Sequence, residues 1–145
     1  MNIDAILLSS LETLSLLESN NNVECLEAKI PFGNIAFIKE KFWKLGAGYK
    51  ESAVTRKSHP GLSISENGNK IAFGSSQLNN RDRNDKNYFF VNKNECEIIS
   101  KNMVFLLDTC IPTAFNMIDK RKTLYSELCP KKMKELKDVI SKKQN

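Results

Sequence analysis

An Asn67-Gly68 dipeptide divides two short apolar runs, Gly61-Leu62-Ser63-Ile64-Ser65 and Lys70-Ile71-Ala72-Phe73-Gly74. Asn-Gly adopts the positive φ angles of a tight turn with little strain, and runs this short are too brief for helices that bury a core. The pair is therefore predicted to be a β-hairpin. Gly33-Asn34-Ile35-Ala36-Phe37-Ile38 reads as an earlier strand, Tyr88-Phe89-Phe90-Val91 and Met103-Val104-Phe105-Leu106-Leu107 as later ones, and Pro112 ends a further short extended piece near Cys110. Short strands punctuated by turn residues predict a small barrel or sandwich.

The flanks carry a different period. Ile3, Ile6, Leu7, Leu11, Leu14 and Leu17 recur at three- and four-residue spacings, an amphipathic helix stopped by Ser19-Asn20-Asn21-Asn22. At the other end Met133, Leu136, Val139 and Ile140 form one apolar face, with Pro130 suited to the first helical turn. Residues 39–59, with Gly46, Gly48 and many charges, read as a long loop or excursion. Residues 77–87, with five charges and four Asn, read as a mobile loop. The organisation expected is an acidic N-terminal helix and linker over residues 1–30, then a β-rich body with a terminal helix over 31–145.

At 145 residues the chain suits one domain with a sizeable core. No apolar stretch approaches the ~20 residues that cross a bilayer. No Lys or Arg precedes Lys29, so the positive start of a secretory signal is missing, and a cytoplasmic protein is expected. Cys25, Cys96, Cys110 and Cys129 are scattered, with one His in the chain, so no zinc spacing is present and reduced, buried thiols are expected. Residues 1–30 hold Asp4, Glu12, Glu18, Glu24 and Glu27 against Lys29, a net charge of −4. With +5 overall, the rest of the chain carries +9. Such a basic body attracts polyanions, and nucleic acid is the leading partner class. For the Lys-rich C-terminal helix alone, a solvated surface is the simpler reading.

No phosphate-binding loop, dinucleotide glycine fingerprint or hydrolase Ser elbow is present. The one imidazole, in Arg56-Lys57-Ser58-His59-Pro60, has an unperturbed pKa of about 6.5 and can give and take protons near neutrality. Gly74-Ser75-Ser76-Gln77 ends the next strand and can donate to a phosphate oxygen. The hairpin brings His59 beside Ser75. Chemistry needing so little is cleavage of RNA by its own 2′-hydroxyl, for which an enzyme orients the nucleophile, moves protons and stabilises charge.

Taken in order, Gly33-Asn34-Ile35-Ala36-Phe37, His59-Pro60-Gly61-Leu62-Ser63-Ile64-Ser65, Ala72-Phe73-Gly74-Ser75-Ser76-Gln77 and Asn102-Met103-Val104-Phe105-Leu106-Leu107-Asp108 resemble the PemK/MazF-like toxins of bacterial toxin–antitoxin systems. Residues 124–140 resemble that family's closing helix. The resemblance implies a mainly β (α+β) fold, a small SH3-like β-barrel with a C-terminal helix, to which this chain adds the N-terminal helix. It further implies a homodimer, an antitoxin protein partner, and a metal- and cofactor-independent endoribonuclease that cuts single-stranded RNA. By position the family's catalytic Arg falls on His59 and its Thr on Ser75. Arg56 or Lys57 is then expected to supply the cation. Loops 39–57 and 77–86 would shape the RNA groove with Lys57, Ser76, Gln77, Trp43, Lys44, Arg81 and Arg83. Phe42, Trp43 and Tyr49 would either stack on bases or cover the barrel's open edge. The acidic helix would pack on the barrel or at a dimer interface. Two other readings fit the same residues: a catalytically inactive SH3-like module that grips nucleic acid or a protein, and a basic interaction protein unrelated to the toxins.

Overall fold

The structure, a computed structural model, describes residues 30–47, 58–112, 118–119 and 124–143. The helix expected at residues 3–19, Cys25, Tyr49, Arg56 and Lys57 lie outside the described residues. Six strands, β1 (Asn34–Lys39), β2 (Ser58–Ser63), β3 (Ile71–Ser75), β4 (Tyr88–Val91), β5 (Met103–Ile111) and β6 (Ser126–Glu127), form one sheet in the order β4-β5-β3-β2-β1-β6. Every pairing is antiparallel. Helix α1 (Glu40–Ala47) follows β1, and α2 (Pro130–Lys143) ends the fold. The architecture is a mainly β, curled half-barrel with a C-terminal helix.

The predicted hairpin is β2–β3, with Gly61, Leu62 and Ser63 facing Phe73, Ala72 and Ile71. Its turn is held by Ile64 N donating to Lys70 O and Gly68 N to Ser65 O, and Gly68 takes a φ of 70° that a β-branched residue would resist. Curling comes from β5. Ala72 pairs with Cys110 but Phe73 with Leu106, so three β5 residues stand outside the ladder and the strand turns a corner. This continuous, bent strand replaces the two separate extended pieces expected from the sequence. Cys110 Sγ donates to Leu107 O across the bend.

Because side chains alternate across a strand, the sheet has two apolar faces. One carries Ile35, Leu62, Ala72, Phe89, Val91 and Phe105, closed by Leu128 and by Leu136 of α2. The other carries Ile38, Ile71 and Phe73 beneath Trp43 of α1, which is fully buried. Gly61 makes the seat for that ring: a Cβ there would lie 3.0 Å from Trp43 Cζ2 and 2.4 Å from Ile71 Cγ2.

Several sequence expectations need correcting. Residues 40–47 are helical rather than part of a long loop, because Trp43 has a buried seat that its local sequence does not reveal. Segment 124–140 is helical only from Pro130, since residues 126–127 pair with Asn34 and Ile35 as a strand. Residues 77–87 have no regular structure, yet they form successive turns closed by their own side chains: Asp82 Oδ1 accepts from Asn84 N and Asp85 Oδ1 from Asn87 N. Cys96, Cys110 and Cys129 are free thiols, and burial pushes the Cys96 and Cys110 thiols upward. No described helix is long and apolar enough to cross a membrane.

Gly74 sits where three elements meet. A Cβ would fall 2.6 Å from Phe105 Cε1 and 2.9 Å from the backbone oxygen of Pro60. The ring can shift but the backbone cannot do so cheaply, so Gly74→Ala should cost about 1–3 kcal/mol by overpacking. A urea midpoint unchanged from the parent would refute this.

Candidate functional site

Pro60 lies within β2, an interior strand, where its missing N–H breaks a ladder. The paired residues of β2 and β3 stop at Gly61 and Phe73, immediately before it, whereas β1 pairs with β2 as far as Ser58. Where the β2–β3 ladder ends, a cleft of about 180 Å³ opens between the strand ends and residues 99–101. Its polar lining includes His59, Ser75, Ser76, Gln77, Ser100 and Lys101. His59 pairs with Ile38 of β1 and Ser75 with Val104 of β5, and both residues line this cleft.

His59 is buried, at 8% exposure, and its Nε2 lies 3.0 Å from Oε2 of Glu40, itself 7% exposed. Nδ1 is the ring's other polar atom. Glu40 opens α1, where a carboxylate also complements the positive end of the helix. Phe73 packs against the imidazole with ring centroids 5.3 Å apart, and Trp43 meets Phe73 edge-on at 5.0 Å. Helix, carboxylate, imidazole and aromatic rings thus form one connected unit behind the cleft. Ser75 Oγ accepts from Gln77 N at 3.1 Å, which leaves its hydroxyl proton to donate.

The other expected site residues are placed unevenly. Ser76 and Gln77 share the cleft with His59 and Ser75. Arg81 adjoins it, donating from Nε to Gln77 O at 2.9 Å, while its guanidinium lies over Tyr88. Arg83 lies over Phe90 on β4 instead. Trp43 has no exposed surface and serves as a cover for the sheet, not as a ring presented to bases. The side chain of Lys44 lies outside the described residues, as do Arg56 and Lys57.

Glu40, Ser100 and Lys101 were missed by the sequence reading. Glu40 is one of many charges in its segment, and only the helix after β1 sets it against His59, nineteen residues on. Lys101 carries no motif and arrives through the connection from β4 to β5.

Neither known protein-family models nor curated proteins show a match to this chain. The fold and site define its class: a curled, antiparallel six-stranded half-barrel with a C-terminal helix and a polar cleft at the strand ends.

Proposed function

We propose that the protein is a metal-independent endoribonuclease of the PemK/MazF-like toxin type, acting on single-stranded RNA. The observation that carries this reading is that His59, Ser75 and Lys101 line one polar cleft. The 2′-oxygen attacks the adjacent phosphorus as the bond to the 5′-oxygen breaks, giving a 2′,3′-cyclic phosphate. His59, oriented by Glu40, takes the 2′-hydroxyl proton and returns it to the departing 5′-oxygen, and Ser75 donates to a non-bridging oxygen. Lys101 adds cationic charge, together with Arg56 or Lys57. The same reading carries a homodimer and an antitoxin protein as partners.

The burial of His59 against Glu40 favours a second reading, a non-cleaving module that grips nucleic acid or a protein through its basic surface. One assay separates the two. Purified protein is incubated with mixed RNA and a metal chelator, and fragment ends are analysed. Fragments ending in cyclic phosphate support the nuclease. Retention of RNA without scission supports the binding module, and cleavage seen only with added metal rejects the mechanism.

A further inference from the structure

The turns of residues 81–87 and the last turns of α2 enclose a groove of about 700 Å³, lined by Arg83, Lys86, Tyr88, Lys142 and Lys143 among others. Four of those five side chains are cationic. Asp85 also lines the groove, its Oδ1 accepting from Asn87 N, so the lining carries four cations against one carboxylate. Arg83 makes no hydrogen bond or ion pair among the described residues, and its guanidinium is held 4.4 Å from the centre of the Phe90 ring. Arg81 is held likewise, 5.2 Å from the centre of Tyr88, two residues earlier on the same strand. Stacking restricts both guanidinium planes while leaving donors to spend on an external acceptor. Lys143 is steadied by donating to Asn87 Oδ1. Cations already ordered lose less freedom when they bind, and spaced cations beside aromatic rings suit a phosphate chain with unpaired bases.

We infer that this groove binds the phosphate backbone of single-stranded nucleic acid, with Arg83, Lys142 and Lys143 as phosphate contacts. The inference rests on the nuclease reading for its ligand class. It extends that reading by giving the strand a track: Arg81, bonded to the cleft residue Gln77, bridges the cleft to the groove.

The test measures binding of a short oligouridylate carrying 2′-O-methyl groups, which lacks the nucleophile and so reports binding apart from cleavage. Arg83→Gln, Lys142→Gln and Lys143→Gln are combined and compared with Lys70→Gln, Lys93→Gln and Lys134→Gln. All six side chains are exposed and both triples lose the same charge. Each phosphate contact removed lowers the salt dependence of log K by about 0.7, so the groove triple should lose about 2 from the slope and the control triple far less. Equal slopes for the two triples, or no binding by the parent protein, would overturn the inference. Should the groove triple prove unstable to urea, Lys142→Glu alone reads the same groove from an exposed helix position, and unchanged binding there has the same force. Cleavage of unmodified RNA by the parent, with equal slopes for both triples, would leave the nuclease standing without this track. Selective slope loss without cleavage would do the reverse.

Discussion

Trp43→Ala is expected to lower the free energy of unfolding by about 3–5 kcal/mol, the range for removing a large buried aromatic side chain. The ring is fully buried, edge-on to Phe73, over a seat made by Gly61, so its loss opens a cavity whose walls belong to a paired sheet and collapse poorly. Trp43→Phe should cost less than half as much. It loses volume, but it also removes an indole N–H that has no hydrogen-bond partner among the described residues, and an unsatisfied buried donor costs about 1–3 kcal/mol. Trp43 is the sole tryptophan of the chain, so fluorescence follows unfolding of the parent and circular dichroism follows the variants. A Trp43→Ala loss below about 1 kcal/mol would show that α1 does not seal this face.

His59→Ala is expected to lower kcat for RNA cleavage by about 10²–10⁴-fold with little change in KM, the loss typical of a proton-transfer group. On the proposed mechanism Glu40→Gln should cost about tenfold in kcat, through the loss of its 3.0 Å contact with the ring. The pair also supports the fold. Both side chains are about nine-tenths buried, so removing either alone strands a polar partner, whereas removing both does not. Glu40→Ala and His59→Ala should therefore each destabilise by about 1–3 kcal/mol, and the double variant by less than their sum, with a coupling of at least about 0.5 kcal/mol. Additive losses would mean that the 3.0 Å contact contributes nothing to stability. Stability coupling with full cleavage activity in His59→Ala would make the pair a brace and remove His59 from the chemistry.

The β2–β3 hairpin was legible because its cause is local. Asn67-Gly68 favours the turn, and the runs beside it are apolar enough to be buried on both faces. The closing helix was legible for a similar reason: Pro130 takes the first helical position, and Leu136 lands on the buried stripe that its period marks. Helix α1 was hidden. Gly46, neighbouring Gly48 and a run of charges weaken its local signal, and what stabilises it is the burial of Trp43 over Gly61 and edge-on to Phe73. The bend in β5 was hidden too, since its extra residues follow from the partner strand and neither Gly nor Pro marks Leu107, Asp108 or Thr109.

That His59 and Ser75 lie near the open end of one hairpin could be worked out from one turn and a count of residues, and the two residues line one cleft although the ladder between their strands ends at Gly61 and Phe73. Strand periodicity, the hairpin and the basic balance of the chain were likewise matters of the sequence alone. The carboxylate behind the imidazole, the lysine across the cleft and the arginines over Tyr88 and Phe90 were decided only in three dimensions. Each joins residues on separate elements, and such contacts depend on how elements pack, a property to which no single stretch of chain is privy.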